Sequence, residues 1–179
     1  MTRGDIPRDF VVDTCVARSC ARRGSTNLHA RSCRGALELI RDGGHKAVVY
    51  RTILDEYTRQ ENMSRFFLRW FENMRSRRQI KPLGSDPAPY QDVRAAMKRL
   101  IPKDAHRVVT KDLHLVGAAI ATDNRILSDD DKVRAHFTRI ASEVLTLARV
   151  HWANPSAPDC LPWLSRGAPD ERTLQLGAG

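Results

Sequence analysis

Four acidic residues hold positions from which an alternating strand and helix chain would bring them together. Asp13 ends the apolar run Phe10-Val11-Val12, and Glu56 lies in the helical pattern that follows a second apolar run, Lys46 to Tyr50. Asp112 sits on a helical stretch feeding Ile126-Leu127, and Asp130 follows that run within Ser128-Asp129-Asp130-Asp131. Carboxylates that converge on one pocket repel one another and are costly to bury unless a cation or a shared proton compensates. Oxygen-only ligands select hard cations, so the expected metal is Mg²⁺ or Mn²⁺ rather than zinc. A cation held there lowers the pKa of a bound water, orients a phosphodiester and stabilises charge on the leaving oxygen.

Taken singly, each acid also has a plain reading. Asp13 suits a turn, Glu56 and Asp112 a solvated helix face, and Asp130 a helix N-cap. Cys15, two positions after Asp13, has no adjacent His-Asn pairing and reads as a small buried hydrophobe rather than a nucleophile. His114, two positions after Asp112, reads as a surface or hydrogen-bonded helical histidine rather than a general base. The four cysteines, Cys15, Cys20, Cys33 and Cys160, form no CxxC pair and no metal-knuckle spacing. With no secretory h-region in MTRGDIPRDFVVDT and no apolar run long enough to span a bilayer, they read as reduced thiols in a cytoplasmic protein.

The elements that must position these residues are short. Phe10 to Val12 and Lys46 to Tyr50 read as buried strands, Ile126-Leu127 as a minimal one, and Arg149 to Trp152 as a last one. Helical periodicity marks Ala30 to Asp42, closed by Gly43-Gly44, and a stretch from Ile53 through Phe66, Phe67, Trp70, Phe71 and Met74. Further helices are expected over residues 90–101, over Asp104 to Thr122, and through Val133, Phe137 and Ile140. Pro82 to Pro89 is a break in the chain. Strands alternating with helices predict an α/β domain, a three-layer α/β/α arrangement with a mostly parallel central sheet and its crevice at the carboxyl ends of the strands. Residues 1–153 form this domain, and Asn154 to Gly179, with four prolines, reads as a loosely structured tail packing through Leu161, Trp163 and Leu164.

Lys and Arg number 30 against 21 Asp and Glu, for a formal charge of +9 in 179 residues. A balance of that size suits a polyanionic partner such as nucleic acid or an acidic membrane surface. The positive charge is concentrated: residues 17–34 carry five arginines and no acid, and residues 59–81 carry seven basic residues against two acids. The arginine face of that second segment reads as a solvated face or an RNA contact, and its aromatic residues as core or dimer packing rather than base-stacking platforms.

The motifs V-V-D-T at 11–14, I-L-D-E-Y at 53–57, K-D-L-H-L-V-G-A-A at 111–119 and I-L-S-D-D-D at 126–131 resemble the PIN domain family of metal-dependent ribonucleases, in order and interval, over about the first 150 positions. The resemblance implies metal ligands and catalytic acids at Asp13, Glu56, Asp112 and Asp130, with Ser128 as the small hydroxyl residue before the last acid. Cys15 stands where many PIN domains have Asn, and the triple Asp129-Asp130-Asp131 leaves an auxiliary role for Asp131 open. It further implies an RNA substrate, hydrolysis to a 5′-phosphate and a 3′-hydroxyl without a protein nucleophile, and, for small stand-alone members, a toxin role with an antitoxin partner and a homodimer. Two alternatives are weighed beside it. A haloacid-dehalogenase-like phosphatase would need a second Asp at position 15, which is Cys. A PIN-like module that binds RNA or protein with little or no catalysis would not need all four acids.

Overall fold

The computed structural model describes residues 6–20, 26–59, 63–87 and 91–178. Arg22, Arg23, Glu61 and Pro89, which enter the sequence reading, lie outside the described residues. Five strands form one sheet in the order β3-β2-β1-β4-β5, with β1 at Asp9–Val12, β2 at Lys46–Val49, β3 at Ile80–Pro82, β4 at Arg125–Leu127 and β5 at His151–Ala153. All four pairings are parallel. The predicted α/β class with a parallel sheet is therefore the observed one, and the Ile126-Leu127 strand lies beside the first. Val11 and Val12 pair with Ile126 and Leu127. Phe10 to Val12 and Arg125 to Leu127 are buried, as expected for central strands covered on both faces.

Helices α1 (Thr14–Ser19), α2 (Leu28–Asp42), α4 (Arg65–Ser76) and α9 (Cys160–Ser165) pack as one group. Helices α5 (Gln91–Leu100), α6 (His106–Ile120), α7 (Asp131–Ala141) and α8 (Leu145–Ala148) pack as another, and α3 (Arg51–Arg59) rests on α1. Tyr57 fixes α3 to the sheet by donating its hydroxyl to the Val12 carbonyl at 2.5 Å. The expected continuous helix from Ile53 to Met74 is two elements, because Ser64 caps α4 anew by accepting from the Phe67 amide. α2 ends in a Schellman turn: the His45 amide donates to Ile40, the Gly44 amide to Arg41, and Gly44 takes φ +73°. α4 ends in the same turn with Arg78 at φ +58°, its Gln79 amide donating to Met74. Among the aromatic residues of α4, Phe67 and Trp70 are core, and the Trp70 indole donates to the Leu37 carbonyl.

The segment expected as a loose tail is folded into the body. Trp163 is fully buried against the Phe10 ring and stacked on His151. Arg125 on β4, also buried, donates twice to the Ala168 carbonyl and once to the Asp170 carboxylate. Leu174 and Leu176 join the core, and the Leu176 amide donates to Val150, covering the outer edge of β5. Pro162 misleads because it falls in the first turn of α9, where no amide donor is needed. Among the described residues no helix is long and apolar enough to cross a membrane.

Candidate metal centre

The site begins where β1 and β4 end side by side. The Asp13 amide donates to the Leu127 carbonyl at 2.9 Å, so Asp13 and Ser128 leave the sheet together. Ser128, fully buried, donates its hydroxyl to Asp13 Oδ2 at 2.7 Å and accepts from the Asp130 amide at 3.2 Å. Asp13 Oδ1 accepts from the Cys15 amide, which makes Asp13 the N-cap of α1. Its orientation is thereby fixed from both sides. Cys15 Sγ lies 3.6 Å from Ser128 Oγ. Burial first, then the charges of Asp13 and Asp129, push the Cys15 thiol far above its ordinary range, so it stays a protonated thiol.

Glu56 approaches Thr14, the residue after Asp13, from the second turn of α3. Thr14 Oγ1 donates to Glu56 Oε2 at 2.5 Å, and His114 Nε2 on α6 lies 3.4 Å from Oε1, close enough for an ion pair but not aligned as a hydrogen bond. Tyr50, just past β2, meets His114 Nδ1 at 2.6 Å and fixes the ring. His114 is thus a hydrogen-bonded helical histidine, in line with the sequence reading. Burial pushes the Glu56 carboxyl up, but the contacts with His114 and Thr14 outweigh it and hold the group below its ordinary value.

Asp112, half-buried on α6, has no hydrogen-bond donor among the described residues. Burial, the charge of Asp13 and that of Asp130 push its carboxyl up to about 6, against the opposing pull of Lys111 and His114. Asp130 caps α7 by accepting from the Val133 amide at 2.9 Å through Oδ1. Its two neighbours turn elsewhere. Asp131 accepts from Asn154 at 2.9 Å, while Asp129 pairs with His29 and accepts from Ser19.

The four acids therefore gather near the carboxyl ends of β1 and β4 but are not drawn tightly together: no three of them bring ligand atoms within 4.8 Å of one another. Asp13, Asp112 and Asp130 interact electrostatically, and Glu56 joins through Thr14. The donor set is all oxygen, the chemistry that hard divalent ions take, and burial, then Asp13 and Asp130, raise the Asp112 carboxyl against the pull of Lys111 and His114. Away from the acids, α2 and α4 enclose a cleft of about 630 Å³ lined by Arg34, Arg41, Arg65, Phe66, Arg69, Trp70 and Asn73. Arg34 is tied to Glu38 and lies over the Phe66 ring, and Arg41 is tied to Asp42. Arg65 and Arg69 have no ion pair among the described residues.

Thr14, though part of V-V-D-T, and Tyr50, at the end of the second apolar run, are given no role by the sequence, since their partners Glu56 and His114 are distant in the chain. The cluster of His29, Cys33 and Asp129 is missed as well, although His29 and Cys33 at i and i+4 on one helix face are a readable signal. Compared with protein-family models, with curated proteins and with solved structures, the chain finds no match in any of the three.

Proposed function

We propose that this protein is a metal-dependent endoribonuclease of PIN type, holding Mg²⁺ or Mn²⁺ through Asp13, Asp112 and Asp130 with Glu56 as the fourth acid. The observation that carries this reading is Asp112, a half-buried carboxylate with no donor among the described residues, raised to about 6 by burial and by two neighbouring acids at the carboxyl ends of parallel strands. When bound, a divalent cation supplies positive charge to the phosphoryl oxygens and makes water a better nucleophile at neutral pH. The chain's own residues do the rest. Ser128 and the Cys15 amide orient Asp13; Thr14 and His114 orient Glu56; the exposed Lys111, beside Asp112, offers a cation to a backbone phosphate. Arg65 and Arg69 in the α2–α4 cleft supply further phosphate contacts, which suits RNA binding of strong salt dependence. Four free thiols support a reducing, cytoplasmic setting.

The test is cleavage of single-stranded RNA by the purified protein with Mn²⁺ or Mg²⁺. Activity is expected to vanish in excess EDTA and in the double variant Asp13→Asn/Asp112→Asn, whose circular dichroism should match the parent. Undiminished cleavage by the double variant overturns the site, and cleavage in EDTA overturns the metal chemistry. Salt-dependent RNA binding with no turnover would instead identify a binding module.

A further inference from the structure

Behind the crevice, on the α2 side, a second group of ligating side chains differs from the first in chemistry. His29 Nε2 lies 2.9 Å from Asp129 Oδ2 and 3.8 Å from Cys33 Sγ, and the three ligand atoms all fall within 4.8 Å of one another. A tetrahedral ion about 2.0 Å from nitrogen and oxygen and about 2.3 Å from sulfur sets N–O and N–S edges of roughly 3.3 and 3.5 Å. The observed separations lie within a few tenths of an ångström of those edges.

The surroundings are those of a supported site. Ser156 Oγ meets His29 Nδ1 at 2.6 Å, engaging that nitrogen and leaving Nε2 to face the cluster. Ser19 Oγ donates to Asp129 Oδ2 at 3.3 Å. Cys33 is fully buried on α2, whereas the His29 side chain is 42% exposed, which opens the cluster to solvent from one side. Nε2 and a carboxylate oxygen lie at hydrogen-bond distance and are joined through one electron-poor species between them. That species is either a proton or a metal ion, and the thiol directed at the same point adds the soft donor that a proton alone does not call for.

We infer that His29, Cys33 and Asp129 form a zinc site, with solvent in the fourth position, separate from the four-carboxylate crevice. The mixed nitrogen, sulfur and oxygen set selects Zn²⁺ or Co²⁺ over Mg²⁺ and Mn²⁺. Without a metal the thiol stays protonated, burial and then Asp129 pushing it up to about 12; coordination releases that proton to solvent. Because Asp129 lies between Ser128 and Asp130, an ion here ties the 128–131 loop to α2 and to Ser156. This site stands independently of the ribonuclease reading.

Co²⁺ binding to the full chain carrying Asp13→Asn/Asp112→Asn, which silences the carboxylate crevice, tests it. One Co²⁺ per chain with a thiolate-to-cobalt charge-transfer band is expected, displaced by Zn²⁺, together with a zinc-dependent rise in the unfolding midpoint. Cys33→Ala should abolish the band and Cys15→Ala should leave it intact. Should Cys33→Ala fail to fold, His29→Gln at its part-exposed position decides, and is expected to lower Co²⁺ affinity at least tenfold. A cobalt complex with no charge-transfer band, a band that follows Cys15, or unchanged affinity in His29→Gln overturns the site and leaves a His29–Asp129 hydrogen bond in its place.

Discussion

Asp112 links chemistry to stability through one proton. Its carboxyl titrates near 6 in the folded chain against 3.8 for an ordinary aspartate, so the native state holds that proton more tightly than the unfolded state. The associated stability is fully present below about pH 4 and is lost as pH rises through about 6. Metal-free protein should therefore weaken over that window, and Asp112→Asn should remove the loss. At pH 7.5 in EDTA the variant is expected to be more stable by roughly 1–2 kcal/mol, the full shift being discounted for solvent screening. Urea unfolding at pH 5 and 7.5 measures this, and equal pH dependence in both proteins would refute it. Asp13 and Asp130 are legible as candidates because each follows an apolar strand, whereas Glu56 and Asp112 lie within helices and stand out only through the motif resemblance. Thr14 with Glu56 and Tyr50 with His114 are not legible, since their partners lie 42 and 64 residues away and only the fold joins them.

Short elements carry much of the geometry. Asp13 and Asp130 are both helix caps and members of the crevice, so their structural and chemical roles must be separated by substitution. Asn retains a capping oxygen, so Asp130→Asn should leave the unfolding midpoint nearly unchanged while weakening Mn²⁺ binding. Asp130→Ala should lose the metal and in addition about 1 kcal/mol of stability, as read by calorimetry. At the end of α4, Arg78 occupies a left-handed position that the α2 turn gives to Gly44. Arg78→Gly is expected to stabilise by about 1 kcal/mol in denaturant titration, since glycine carries no Cβ penalty there. β1, β2 and β4 were readable as apolar, β-branched runs. β3 was not, because Ile80-Lys81-Pro82 is a three-residue edge strand whose Lys and Pro resemble a loop and also discourage pairing by another chain. α1 escaped notice for a similar reason: six residues leave no periodicity to read, and only the Asp13 cap announces it.

At the scale of the molecule, residues 154–178 belong to the same core as the first 153, whatever their proline content suggests. Deleting them removes Trp163 from between Phe10 and His151 and leaves the buried Arg125 guanidinium without Ala168 and Asp170. A chain of residues 1–153 should lose its cooperative unfolding transition, since Trp163, Leu164, Leu174 and Leu176 are taken out of the shared core. Near-ultraviolet circular dichroism would show the lost tertiary packing, and a retained transition would contradict the shared core. The strand order β3-β2-β1-β4-β5 also has a meaning in time. The first described strand in chain order is the central one, and Asp13 at its end is held by Ser128, which is translated more than a hundred residues later. On the ribosome the growing chain carries Asp13 long before it carries the partners that orient it. The proposed site is thus completed only once Ser128 to Asp130 have joined the chain.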